Sequence, residues 1–130
     1  MSFKNPEEVL FQWVSRVCNG NADATRTLYN DDAILVPTFS PHTVHSIEDI
    51  HEYFRQLVTR EGFGVRLHNK ALSVQSMSKT LHTLSGIYSF EFEVDQVFLS
   101  FPSRFTFVVD ISKEKPILHH HSSQVPRNLS

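Results

Sequence analysis

The chain has 130 residues, 40% of them hydrophobic and 20% charged, with a formal net charge of −2. That length suits one domain around one core, expected over residues 1–130 with its core at about 6–126. The charge balance excludes a general nucleic-acid binder, which is normally basic, and the single cysteine, Cys18, excludes an internal disulfide.

The N-terminal residues lack the apolar run of a signal peptide. No stretch approaches the ~20 apolar residues that span a bilayer. A cytoplasmic protein without a membrane partner is expected. Asn5-Pro6-Glu7-Glu8 reads as a helix start: Asn5 caps, Pro6 suits the first helical position, and the acids complement the positive helix end. Val9, Leu10, Trp13, Val14 and Val17 then follow helical spacing until Asn19-Gly20-Asn21. Cys18, on this amphipathic helix, reads as a buried structural thiol. A second, shorter helix is expected to carry Ala22, Thr25, Leu28 and Tyr29, with Asn30-Asp31-Asp32 as its turn.

Ala33 to Thr38 reads as a buried strand that Pro37 terminates or pushes to an edge. Residues 39–45 form a loop or tight hairpin. Ser46-Ile47-Glu48-Asp49 is a capping box with Asp49 in place of Glu. The helix behind it carries Ile47, Ile50, Tyr53, Phe54, Leu57 and Val58 on one stripe, and Glu61-Gly62-Phe63-Gly64 breaks it. From Val65 the period changes to two, with strands expected at 65–76, 79–94, 97–111 and 115–125. Tyr88, Phe90, Phe92 and Val94 share one strand face; Phe105, Phe107 and Val109 oppose Arg104, Thr106 and Asp110. Phenyl rings placed this way favour a sheet-built core among the chain's 11 phenylalanines. The tail 124–130 is polar and expected to fray. Helices first and long strands afterwards predict an α+β fold, with helices covering one face of a curved antiparallel sheet.

The chemistry-bearing string is His119-His120-His121-Ser122-Ser123. Strand alternation puts His119, His121 and Ser123 on one face, and His120 and Ser122 on the other. Either inward face brings an imidazole and a hydroxyl into a small core. Two imidazoles on one face could hold a metal, but a third ligand is missing: His42, His45, His51, His68 and His82 are scattered outside any ligand motif. No metal or cofactor is expected. The remaining readings are histidines satisfied by hydrogen bonds, and an imidazole that orients substrate or transfers a proton near pH ~6.5. Ser122 and Ser123 lie in no Gly-x-Ser-x-Gly elbow, and phosphate-cradling and dinucleotide fingerprints are absent. Thr38 closes an apolar strand, Tyr53 needs a partner for its hydroxyl, and Arg104 precedes an alternating Phe-Thr-Phe run. Alone, each has a structural explanation. Together, Thr, Tyr, Ser, His and Arg would line a pocket suited to a compact oxyanion.

Ala33-Ile34-Leu35-Val36-Pro37-Thr38-Phe39-Ser40, Ser46 with Tyr53-Phe54, residues 85–90, Arg104 to Val108 and the His-His-His-Ser-Ser string occur in order. The set resembles the nuclear transport factor 2-like (SnoaL-like, cystatin-like) superfamily, and within it the association domain of calcium/calmodulin-dependent protein kinase II. The terminal string is similar to the signature of iota-class carbonic anhydrases, built on the same fold. The resemblance implies a cone: a strongly bent antiparallel sheet packed on three N-terminal helices. It also implies a homodimer through the sheet, and metal-independent hydration of carbon dioxide to bicarbonate by Thr38, Tyr53 and a terminal serine. Ser123 with His121 is the favoured pair, with Ser122 and His120 the alternative. His119, His120, Tyr88 and Arg104 are the candidate ligand-binding residues, Arg104 matching an arginine that enters the pocket of kinase association domains. Two other readings stand beside this one: a non-catalytic small-ligand or oligomerisation module, and a SnoaL-like isomerase or cyclase needing a buried carboxylate or His, for which Asp110, Glu91 and Glu93 are the carboxylate candidates.

Overall fold

Asn5 starts α1 (Pro6–Cys18) as expected: its side chain accepts from Glu8 N at 2.9 Å, and Pro6 takes the first helical position. Gly20, at φ +69°, turns the chain off the helix. The computed structural model describes residues 3–126. α2 (Ala22–Arg26) is shorter than expected. Tyr29 belongs instead to β1 (Tyr29–Val36), because its ring is fully buried and its hydroxyl has partners in the core. β1 stops before Pro37, which has no N–H to give a ladder. Leu35 and Val44 exchange backbone hydrogen bonds of 2.9 and 2.8 Å and so fold the following loop back on the strand.

Ser46 caps α3 (Ile47–Val58) by accepting from Asp49 N at 3.1 Å, which fulfils the capping reading. Its stripe buries Ile50, Phe54 and Leu57. The strand expected at 65–76 is two strands, β2 (Gly64–Leu67) and β3 (Ser73–Ser76), parted by a 3-10 turn at Asn69–Ala71. β4 (Leu81–Val94) and β5 (Val97–Asp110) form a long hairpin whose turn residues, Asp95 and Gln96, both have positive φ. β6 (Ile117–Gln124) completes a bent six-stranded sheet of order β1-β6-β5-β4-β2, with β3 also on β4. β1 runs parallel to β6; the other pairs are antiparallel. The fold is therefore α+β with three helices and a strongly bent sheet.

The inner sheet face carries Tyr88, Phe90, Phe92, Phe105, Phe107 and Val109, all buried. Trp13 of α1 stacks on Tyr88 at 5.2 Å and meets Phe54 and Phe107 edge-on at 6.1 and 5.5 Å. Val94, expected on the same face, sits near the hairpin tip and is exposed. Cys18 is also exposed rather than buried; its thiol donates to Val65 O at 3.1 Å, pinning α1 to β2.

One irregularity decides the site. Val109 pairs with Ile117 and Val108 with His119, so Leu118 is an extra residue in β6, a bulge. Ile117 is buried, and after the bulge it is His120 and Ser122 that point inward. Gln124, expected to fray, pairs with Ser103, and Val125 N donates to Pro102 O at 2.9 Å. The rest of the tail lies outside the described residues.

Candidate functional site

The inner half of the histidine–serine string meets Thr38. β1 runs beside β6 with Leu35 opposite His120 and Val36 opposite His121, so the chain leaves β1 next to Ser122. Thr38 Oγ1 and Ser122 Oγ share a short hydrogen bond. Tyr88, on β4, reaches across β5: its hydroxyl lies 2.9 Å from His120 Nε2 and donates to Ser122 Oγ at 2.7 Å. The other imidazole nitrogen, Nδ1, lies 2.7 Å from the Tyr29 hydroxyl, which accepts from Trp13 Nε1 at 3.0 Å. At the far end, Thr38 donates to Ser103 Oγ at 3.3 Å and Ser103 to Phe101 O at 3.5 Å. One continuous string of polar contacts thus links Trp13 to the backbone of β5. Phe107 lies flat on the imidazole, ring centroids 3.9 Å apart, and fixes its plane.

This set surrounds a small cavity lined by Trp13, Leu35, Pro37, Thr38, Tyr53, Phe54, Tyr88, Phe90, His120 and Ser122. Its volume is about 10 Å³. That is room for about one water. No lining residue is acidic or permanently charged. Burial keeps the rest neutral. It holds the Tyr29 and Tyr88 phenols far above their ordinary range, and pushes Tyr53 up to about 12. Burial, and then the charges of His119 and His121, holds His120 well below the usual imidazole value. His120 is therefore an uncharged ring at neutral pH.

Tyr53 forms the wall between this cavity and a second depression. Its hydroxyl accepts from Phe39 N at 3.5 Å. The outer depression, about 270 Å³, is lined by Phe39, Tyr53, Gln56, Leu57, Thr59 and Arg60. Arg60 lies over the Phe92 ring at 4.8 Å and is the one charged residue of that lining. Its charge reaches Tyr53 and opposes the upward push of burial.

The expected pairing of Ser123 and His121 with Thr38 and Tyr53 is corrected. The bulge at Leu118 turns both residues outward, together with His119. There, on the outer sheet face, they meet Arg104, which is cross-strand from Ser123 and does not enter the cavity with Thr38. Arg104, Thr106, His121, Ser123 and Ser85 line a shallow outer hollow of about 380 Å³. Burial, and then His121, lowers the pKa of the half-buried His119. Thr38, Tyr53, Tyr88, His120 and Ser122 are brought together; His119, His121, Ser123 and Arg104 are not among them. Trp13, Tyr29 and Ser103 were not anticipated. A signal existed for the first two, since a buried indole N–H or phenol seeks a partner.

Three other histidines serve local structure: His51 contacts Asp23 at 2.6 Å, His68 contacts Ser89 at 2.9 Å and His82 contacts Ser76 at 2.8 Å. Among the described residues, no three His, Cys, Asp or Glu side chains converge as a metal cage would require. Asp110 bonds to Ser112, Glu91 faces Arg66, and neither they nor Glu93 line the cavity. Among the described residues, no helix is long and apolar enough to cross a membrane.

The model of the calcium/calmodulin dependent protein kinase II association domain matches residues 6–126. No curated protein matches the chain by sequence. Among solved structures, a protein from Xanthomonas campestris assigned to that same association domain is 25% identical, with a TM-score of 0.81 over 98% of this chain and 96% of the other. An NTF2-like protein with a cystatin-like fold from Novosphingobium aromaticivorans is 14% identical, with a TM-score of 0.75 over 94% of this chain and 80% of the other. A ketosteroid isomerase-like protein from Erwinia carotovora atroseptica is 11% identical, with a TM-score of 0.76 over 93% of this chain and 94% of the other. These last two likenesses show the cystatin-like, NTF2-like fold.

Proposed function

This chain belongs to the calcium/calmodulin dependent protein kinase II association domain family, and on that fold we propose a metal-independent enzyme that hydrates carbon dioxide to bicarbonate. The observation that carries the reading is the Thr38–Ser122 hydroxyl pair, set in a neutral cavity of one-water size with Tyr53 on its wall. Such a space selects for molecules of a few atoms. It has no volume for a fused-ring substrate.

In this reading the oxygens of Thr38 and Ser122 accept the two hydrogens of the bound water. The water's lone pair then faces the carbon of carbon dioxide, which enters from the Arg60 side past Phe39 as the Tyr53 ring moves aside, since the cavity at rest holds only the water. Tyr53 donates its O–H to the substrate oxygen on which charge develops. As the C–O bond forms, the water passes one proton to Ser122, Ser122 passes its own to Thr38, and Thr38, half-buried, turns from Ser103 and passes its own to solvent. Bicarbonate leaves toward the Arg60 guanidinium. His120 stays uncharged throughout and acts by holding Tyr88. With every group neutral, the rate comes from positioning and hydrogen bonding, and modest turnover follows.

Stopped-flow carbon dioxide hydration by chelator-treated protein tests the proposal. A rate above buffer that falls in Thr38→Ala and Ser122→Ala supports it; a rate equal to buffer overturns it. The isomerase reading ranks behind, because Asp110, Glu91 and Glu93 are absent from the cavity lining and an acid–base carboxylate would have to be found elsewhere. Self-association goes with the family's name; a homodimer through the outer sheet face is our reading of it, and light scattering on the purified chain measures it directly.

A further inference from the structure

The polar string through the core has two ends of opposite character. Trp13 Nε1–H can only donate, and Phe101 O can only accept. Between them every hydroxyl can do both, and His120 can present either nitrogen. Counting protons over these contacts leaves one arrangement in which none is stranded. Tyr29 accepts from Trp13, so its own proton goes to His120 Nδ1. His120 then carries its hydrogen on Nε2 and donates to the Tyr88 oxygen. Tyr88 donates to Ser122, Ser122 to Thr38, Thr38 to Ser103 and Ser103 to Phe101 O. The reverse arrangement puts the hydrogen on Nδ1. It makes Tyr29 accept twice and strands its O–H inside the core. A stranded buried donor disfavours that state by roughly tenfold or more.

We infer that Trp13 and Tyr29 are positioning residues: they lock His120 as the neutral Nε2–H tautomer, and through Tyr88 they aim the protons of Ser122 and Thr38 outward along β5. Neither residue is hydrogen-bonded to the Thr38–Ser122 pair. Their effect there is directional. With Tyr88 donating into Ser122, and Ser122 into Thr38, both hydroxyl protons are committed to the string. Each oxygen keeps a lone pair for the cavity. The site then offers two acceptors to a water molecule and, from Tyr53, one donor. In the reverse arrangement every bond between Tyr29 and Ser103 flips, and the relay to solvent through Thr38 is lost. His120 thus works as a one-way valve for proton direction, set by an indole on α1. Full burial of His120, Tyr88 and Tyr29 keeps water from re-randomising the bonds.

This inference rests on the carbon dioxide reading for its purpose, but its test does not. Two-dimensional long-range ¹H–¹⁵N correlation spectra of ¹⁵N-histidine-labelled protein near pH 7.5 report the tautomer of each imidazole. The expected result is a single Nε2–H tautomer for His120. In Trp13→Phe, Tyr29 is released from its donor and a second, Nδ1–H population becomes readable; in Tyr29→Phe the Nδ1 lone pair loses its donor and its ¹⁵N shift moves toward that of an unbonded ring nitrogen, a smaller change that guards against a Trp13 variant that fails to fold. An Nδ1–H wild-type tautomer overturns the inference. So does a Tyr29→Phe protein that folds with the His120 Nδ1 shift unchanged. Tyr29→Phe is also expected to lower kcat for hydration by about tenfold, the weight of one hydrogen bond, with little change in KM. If no hydration is found while the tautomers behave as stated, the function falls and the positioning role stands. If hydration is found with the wrong tautomer, only the positioning role falls.

Discussion

The two faces of β6 carry nearly the same residues in different worlds. Inward, His120 and Ser122 are buried, uncharged and fully bonded to phenols and hydroxyls. Outward, His121 is exposed and Ser123 half-buried beside Arg104, and no side-chain hydrogen bond holds any of the three among the described residues. Residue type therefore says little about role here. What lies across the strand, Phe105 and Phe107 on the inner side against Arg104 and Thr106 on the outer, decides which imidazole can matter.

The strongest way to break this contrast is to remove each imidazole in turn. His120→Ala takes away a ring stacked on Phe107 and leaves the Tyr29 and Tyr88 hydroxyls short of a partner. It is expected to cost roughly 3–5 kcal/mol in urea unfolding. His121→Ala should stay within about 0.5 kcal/mol. Similar losses in the two would erase the distinction between the faces.

The serines sharpen it at the level of chemistry. Ser122→Ala should reduce kcat for carbon dioxide hydration by about 100-fold, the scale of losing one group that touches the reacting atoms. Ser123→Ala should leave kcat unchanged within about twofold. Stopped-flow traces of the two variants side by side decide the matter, and a larger effect from Ser123 would move the site to the outer face.

Titration separates the faces next. The folded pKa of His120 lies below its unfolded value of about 6.5, so the unfolded chain takes up the proton first as pH falls. Its contribution to stability is complete above pH ~6.5 and is lost as pH drops toward the folded value, at up to about 1.4 kcal/mol per pH unit. His119 adds a smaller contribution of the same sign. At the alkaline end the phenols reverse the direction: the unfolded chain ionises first above pH ~10, and stability falls as pH rises through about 12, where Tyr53 titrates. Urea midpoints across pH read both limbs. A flat acid limb would mean that His120 is not held neutral by the core.

The smallest effect expected is at the mouth. Arg60→Gln should lower kcat/KM for bicarbonate dehydration by about threefold at low ionic strength, with the gap closing as salt screens the guanidinium. A gap that ignores salt would remove Arg60 from the anion's route.

Much of the architecture is legible before any coordinates. Asn5-Pro6 and Ser46 with Asp49 mark their helix starts through short-range capping chemistry, and the Phe alternation of β4 and β5 exposes the inner face. Tyr29 is harder. Helical spacing from Ala22 and Thr25 competes with the strand, and what settles it is a hydrogen bond to a residue far along the chain. The candidate site was legible in its membership, since Thr38, Tyr53, Tyr88, His120 and Ser122 are all recognisable as candidates. Its sidedness was not. Counting by twos from the buried Ile117 puts His119, His121 and Ser123 inward, and Leu118, paired with nothing on β5, reverses the count. No local residue preference announces a bulge of that kind, which is fixed by the register of the neighbouring strand.

That bulge has an evolutionary consequence. Whether β6 bulges at one residue decides which half of a polar string faces the cavity without altering any side chain in it. His119-His120-His121-Ser122-Ser123 holds two nearly equivalent imidazole–hydroxyl pairs in opposite phase. Pairing Leu118 regularly with β5, with no bulge, would exchange one for the other, bringing His121 and Ser123 to Thr38 and sending His120 and Ser122 to the outer face. A repetitive string makes the strand tolerant of slips that would ruin a less redundant one, so related chains can differ in register here while presenting the same chemistry.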